Sequence, residues 1–324
     1  MVTKEIKFTD IEGIQVGNAQ DMEGGTGCTA VICEEGATAG VDVRGGSPGT
    51  RETDLLNPQN LVEKIHAVML TGGSAFGLDA ASGAMKYLEE KGIGFDVQVT
   101  KVPIVCSAVL FDLVVGDYKI RPDKEMGYKA CINSTKKECL SGNVGAGTGA
   151  TVGKFFGIDR AMKGGLGSYG IQVGDLKVGA IVAVNSLGDI IDPNTGEILA
   201  GLLDKDRENC IGTEEEMLKV YSGNKNIFSG NTTIGIVVTN GIFNKSQMNK
   251  IASMAHNGYG RTIRPAHSIF DGDTIFTMGT NKVEADINVV GFLAAKAMER
   301  AVIDGIKSAD SAYGFKSYKE LRKS

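Results

Sequence analysis

The sequence predicts an α+β fold, a layered sandwich in which helices cover sheets. Three observations carry this expectation. Segments with strand character come in clusters, separated by helices at wide intervals and not in strict β-α-β-α alternation. Residues 178–184 are wholly apolar or glycine, as in a strand covered on both faces. The alanine-rich segment 287–307 is long enough, as a helix, to pack across a sheet.

In chain order, strands are expected over residues 29–33, 37–43, 67–70, 178–184, 233–239 and 274–278. These are short runs rich in Val, Ile, Thr and Ala, bounded by glycine or polar turns. Helices are expected over 55–59 extending towards Lys64, over 75–91, over 245–257 and over 287–307. Within 75–91, Leu78, Ala81, Met85 and Leu88 share one stripe, and Asp79 and Lys86 fall outside it. In the last helix Val290, Leu293, Ala297 and Val302 form the apolar side. Residues 221–230, YSGNKNIFSG, read as a polar, turn-rich loop directly before an apolar strand, where a chain break is tolerated. With no linker and no fixed-period repeat, residues 1–324 read as one domain.

Composition excludes several classes. A net charge of −5 and a pI near 5.4 argue against a nucleic-acid binder. No run reaches the eighteen or so apolar residues of a membrane helix. The opening MVTKEIKFTDIEG has no apolar core of a signal peptide. The six cysteines form no CxxC pair, and three histidines are too few for a zinc set. A cytoplasmic protein without metal or cofactor is therefore expected. The 45 glycines cluster between apolar runs, which suggests tight turns and close backbone approaches.

Four constellations bear on chemistry. In Ser229-Gly230-Asn231-Thr232-Thr233, a hydroxyl sits where a loop meets a strand. A threonine hydroxyl needs a base to become a nucleophile. Cutting the chain before Thr232 supplies one, because its own α-amino group, with a pKa near 8, then lies within reach. Composition alone favours the plainer reading, a Thr pair opening a strand. In His267-Ser268-Ile269-Phe270-Asp271-Gly272-Asp273, the two carboxylates are close enough to push their proton affinities apart. The same residues also read as a plain turn, and they lack the further ligands of a calcium loop. Lys163 precedes Gly164 and Gly165 without a phosphate-loop pattern, and GNVGAGTG over 142–149 is a loose glycine match. Asn185, ending the 178–184 run, suits an oxyanion donor or a turn.

Taken together these stretches resemble the DmpA-like aminopeptidases, which include L-aminopeptidase/D-esterases, β-peptidyl aminopeptidases and nylon-oligomer hydrolases. The resemblance rests on GGSPGTRETD from Gly45, LTGGSAFGL from Leu70, VPIV from Val102, LFD from Leu110 and residues 142–153 with Lys154. It continues through KGGLGS from Lys163, residues 182–185, NTTI from Asn231 and DGD from Asp271.

The resemblance implies a four-layer αββα sandwich of the DmpA/ornithine-acetyltransferase type. It also implies self-cleavage between Asn231 and Thr232 into pieces 1–231 and 232–324. Thr232 would be the nucleophile, with Lys163, Asn185, Asp271 and Asp273 around it as catalytic residues. The implied activity is hydrolysis of amide or ester bonds in small peptides or amino-acid-like oligomers through an acyl-enzyme. A homotetramer or larger assembly, with no nucleic-acid or membrane partner, is also implied. Other branches carry a tyrosine within 149–154, and this chain has none there. The aminopeptidase branch has a serine and an acidic residue at the positions of Asp271 and Asp273, so recognition of a substrate amino terminus is not carried over. Two other functions compete: an acyltransferase of the ornithine-acetyltransferase kind, and an uncleaved ligand-binding protein.

Overall fold

The computed structural model describes residues 3–220 and 230–322. The expected loop at 221–230 lies outside them, apart from Gly230. Ten strands join in one hydrogen-bonded sheet. They are β1 (Lys4–Ile6), β2 (Gln15–Asp21), β3 (Thr26–Val43), β4 (Thr50–Arg51), β5 (Lys64–Thr71) and β6 (Val105–Val109), then β7 (Gly165–Val173), β8 (Leu176–Val184), β9 (Ile234–Gly241) and β10 (Thr274–Val283). The order is β1-β7-β8-β9-β10-β3-β5-β6-β4, with β2 on the free side of β3. The main helices are α1 (Ala80–Glu90), α2 (Lys124–Ile132), α3 (Thr213–Val220), α4 (Lys245–Thr262) and α5 (Ile287–Ser308).

The long strand β3 turns this sheet into two layers. Its first part pairs with β2 and β5, and its second part, from Thr38, pairs with β10. Between them the register with β5 shifts, across Ile32 to Ala37. Side chains alternate across each strand, and the buried clusters follow that alternation. Val31, Val68, Leu70, Cys106 and Ala108 of one layer meet Ile181, Ala183, Ile234, Ile236, Val238, Phe276 and Met278 of the other. On one outer face, Val178, Ala180, Val182, Val237 and Ile275 pack under α4 and α5 through Ile251, Ala255, Leu293 and Met298. On the other, Cys28, Ala30, Ile32, Ala67 and Met69 pack under α1 and α2 through Ala84, Leu88 and Ala130. The result is the αββα sandwich. Each fully buried Leu, Ile or Val in these seams contributes about 1.5–3 kcal/mol.

The expected helix over 55–64 is a single 3-10 turn, Asp54–Leu56, and β5 begins at Lys64. Pro58 explains the stop, since it drives the preceding Asn57 into an extended backbone, with ψ 131°. The expected helix over 75–91 begins only at Ala80, after a 3-10 segment Ser74–Asp79. The strands expected at 29–33 and 37–43 are both parts of β3. Helices α2 and α3 and strands β1, β2, β4, β6 and β7 had no sequence counterpart. Strand β7 was hidden by its glycines, which packing requires. A Cβ on Gly167 would lie 2.1 Å from the Ala301 carbonyl of α5. No described helix is long and apolar enough to cross a membrane.

Candidate active site

Three strand ends converge on Thr232. Strands β9 and β10 run parallel, Ile234 opposite Thr274, so the residues leading into them lie side by side. Asn231 and Asp271 form a parallel β-bridge, and Thr274 N–H donates to the Thr233 carbonyl at 3.2 Å. Strand β8 runs antiparallel on the other flank of β9, which brings Asn185 level with Thr232. Thr232 N–H donates to the Asn185 carbonyl at 2.9 Å. Five residues singled out in the sequence, Asn185, Asn231, Thr232, Asp271 and Asp273, are therefore neighbours, and all are buried.

The peptide before Thr232 is held at its carbonyl. The Thr232 hydroxyl donates a short hydrogen bond to the Asn231 carbonyl oxygen. The same oxygen accepts the Gly272 N–H at 3.1 Å. One residue earlier, Gly230 has φ +134°, and a Cβ there would lie 2.7 Å from the Phe111 ring. Only glycine fits that backbone without strain.

Asn185 is fixed at both ends of its side chain. Its Oδ1 accepts Thr151 N–H at 3.0 Å and Lys154 Nζ at 2.9 Å, and its Nδ2 donates to the Phe111 carbonyl at 3.1 Å. Lys154 Nζ also donates to the Asn185 backbone carbonyl at 3.0 Å. The lysine that joins this network is thus Lys154. Lys163, the lysine assigned from the resemblance, donates to the carbonyls of Gly147, Ala150 and Gly164, each at 2.9 Å. None of Thr232, Asn185, Asp271 or Asp273 is among these partners. Burial pushes both lysines down to about 7, against the opposing charges of Asp271, Asp112 and Asp273 for Lys154 and of Asp112 for Lys163.

The aspartates are anchored separately. Asp271 accepts Leu187 N–H on Oδ1 at 3.3 Å, and Ser268 N–H on Oδ2 at 3.0 Å along with a short bond from the Ser268 hydroxyl. Burial first, and the charge of Asp273 second, raise its carboxyl to about 6. Asp273 accepts Thr233 N–H on Oδ1 at 2.8 Å and meets His267 on Oδ2. Near neutrality the site therefore holds two groups, Lys154 and Asp271, that exchange protons readily. Among the described residues no group of three or more His, Cys, Asp or Glu converges to hold a metal.

A cavity of about 310 Å³ opens beside Thr232. Its walls include Ser47, Pro48, Ser74, Val109, Phe111 and Phe270, and none of the described lining residues is charged. Ser74 N–H donates to the Leu110 carbonyl at 2.9 Å, and the adjoining Gly73 N–H donates to the buried Asp112 Oδ1 at 2.6 Å. The LTGGSAFGL and LFD stretches thus meet at this wall.

Sequence reasoning did not assign Lys154, Ser268, His267 or Gly272 to the site. Lys154 was the last residue of a matching stretch, and the other three stand within or beside the DGD segment. Their roles depend on which strand ends face each other.

Comparison with known proteins decides the family. The model of "Peptidase family S58" matches residues 7–320. This chain belongs to peptidase family S58. An aminopeptidase of Mycobacterium leprae, described as uncharacterized, is 39% identical, the match covering 96% of this chain and 92% of that protein. A 6-aminohexanoate-oligomer endohydrolase of Kocuria sp. is 30% identical over 92% of this chain and 85% of its own length. Among solved structures, the L-aminopeptidase D-Ala-esterase/amidase of Ochrobactrum anthropi superposes with a TM-score of 0.72 at 16% identity, covering 98% of this chain and 92% of that one. That structure is described as a variant of the Ntn-hydrolase fold, and the likeness gives this S58 protein the same architecture. The S58 protein is a hydrolase of peptide or amide bonds.

Proposed function

We propose that this S58 hydrolase cuts itself between Asn231 and Thr232 and then uses Thr232 as an N-terminal nucleophile on amide or ester bonds of small substrates. One observation supports this above the rest: the Thr232 hydroxyl bonds to the carbonyl it would attack, and Gly272 N–H holds that carbonyl from another direction.

In processing, Thr232 Oγ1 adds to the Asn231 carbonyl carbon. The oxyanion forms on an oxygen already bonded to Gly272 N–H. The C–N bond then breaks, the hydroxyl proton ends on the new Thr232 amine, and the product is an ester of Asn231 on Thr232. Water hydrolyses the ester and leaves two chains. In turnover the freed amine accepts the Thr232 hydroxyl proton. The hydroxyl attacks the substrate carbonyl, the leaving group departs with a proton, and water releases the acyl group. Asn185 contributes an amide N–H to the oxyanion. Lys154, bonded to Asn185, lowers the proton affinity of the amine by its charge. Asp271 and Asp273 hold the segment beside the nucleophile and pass protons.

The test is a time course in which chain cutting and hydrolysis are followed together. Activity should rise in step with the two pieces. Activity from a chain that stays whole would overturn the reading. Transfer of the acyl group to an added amine in preference to water would point to an acyltransferase.

The uncharged wall also bears on substrate. A free ammonium in this cavity would find no carboxylate among the described lining residues, and an unpaired buried charge is costly. Substrates whose acyl part carries a blocked amine should therefore be cleaved at least as well as free-amine counterparts, by ratio of kcat/KM. A preference of about tenfold or more for the free amine would contradict this. The six thiols, all free of disulfides, support a reducing compartment such as the cytoplasm. Val289 and Phe292, exposed one turn apart at the start of α5, support assembly into a homo-oligomer.

A further inference from the structure

We propose that His267 is a positioning residue for the reaction at Thr232, aiming Asp273 at the peptide that follows the nucleophile. This inference rests on the reading of Thr232 given above.

Asp273 is buried and spans two partners. Its Oδ1 accepts the N–H of Thr233, directly after the nucleophile, at 2.8 Å. Its Oδ2 faces His267 twice, accepting the backbone N–H at 3.1 Å and meeting ring Nδ1 at 2.8 Å. With Nδ1 protonated, three N–H groups fix one carboxylate. Its plane, and so the line from Oδ1 to Thr233, is set by the histidine.

The histidine in turn is fixed. Its backbone is left-handed, with φ +58°, a region in which Asn, Asp and His are the usual residues other than glycine. That conformation turns the backbone N–H and the ring towards the same oxygen. Behind the ring stands His256, edge to face at 4.9 Å, with Tyr259 at 6.2 Å. His256 is itself tied through Nε2 to the Asp42 carbonyl at 3.0 Å. The ring is wedged between Asp273 and this buried pair.

The donor atom matters here more than the imidazole. Asparagine tolerates the same backbone, and its amide nitrogen falls where Nδ1 stands. Alanine leaves Oδ2 with the backbone N–H alone, so Asp273 is free to turn. A catalytic group misplaced by about 1 Å costs on the order of 100-fold in rate.

The test compares wild type, His267→Ala and His267→Asn for processing rate, kcat, KM and melting temperature. His267→Ala should slow both processing and kcat by about 10- to 100-fold, with KM changed less than about twofold. His267→Asn should recover both rates to within about threefold of wild type. Equal slowing in the two variants, or wild-type rates in His267→Ala, would overturn the inference. If His267→Ala does not fold, folded His267→Asn decides alone: near wild-type rates support the inference and slow rates overturn it. A wild-type chain that never cuts itself would overturn the underlying reading, and this inference with it. A wild-type chain that cuts beside an unaffected His267→Ala overturns this inference only.

Discussion

Thr232→Ala is expected to remain a single chain of 34.1 kDa and to lose hydrolysis by about four orders of magnitude or more. The substitution removes the atom that attacks in both reactions. Gly272 N–H still holds the Asn231 carbonyl, and Asn185 still holds the Thr232 position through its backbone, so the fold is kept. Loss of one methyl and one hydroxyl at the rim of a cavity costs little packing. Thr232→Ser keeps the hydroxyl and should still cut, more slowly, because serine lacks the methyl that restricts χ1. Gel electrophoresis over days, with melting curves for each variant, checks both. A Thr232→Ala chain cut at the same bond would remove Thr232 from the nucleophile role.

The second large effect separates the two buried lysines. Lys154→Met should slow processing and turnover by on the order of 100-fold while the protein stays folded. Methionine fills similar space, but Asn185 loses a donor from both its Oδ1 and its backbone carbonyl. Thr232 N–H bonds to that same carbonyl, so the disturbance reaches the nucleophile directly. Lys163→Met should instead destabilise the chain. Its ammonium donates to three buried carbonyls, and each hydrogen bond from a charged group contributes about 1.5–3 kcal/mol. Urea unfolding and processing rates, measured on both variants, give a double contrast. A stable Lys163→Met with lost activity beside an active Lys154→Met would restore Lys163 as the site lysine.

This contrast shows what was legible in the sequence. Thr232, Asn185, Asp271 and Asp273 each stand at a strand end, next to an apolar run that marks the strand. Local pattern and family resemblance together could find them. The lysine could not be chosen that way. Lys154 and Lys163 both sit beside glycines and both are fully buried. What separates them is a two-residue pairing, Lys163 opposite Thr151 and Met162 opposite Val152, which sends one ammonium to the glycine turn and leaves the other for Asn185. Register of this kind is a tertiary fact. Gly272 was unreadable for the same reason, since its partner Asn231 comes from the segment leading into β9, and the ring of His267 is braced by His256 and Tyr259 of α4. The layered α+β class was legible from the clustered strands and the long alanine-rich helix, and the four layers from the resemblance; glycine-rich β7 carried no strand pattern, and over 55–64 the effect of Pro58 stops the expected helix.

Every step proposed for Thr232 depends on the chain cutting itself before that residue. Intact mass of the purified protein, with N-terminal sequencing of each piece, tests it most directly. The expected result is two chains whose masses sum to the 34.1 kDa polypeptide plus one water, the smaller beginning Thr-Thr-Ile-Gly. A single uncut chain that keeps its full mass through prolonged incubation, or a cut at any other bond, would contradict it.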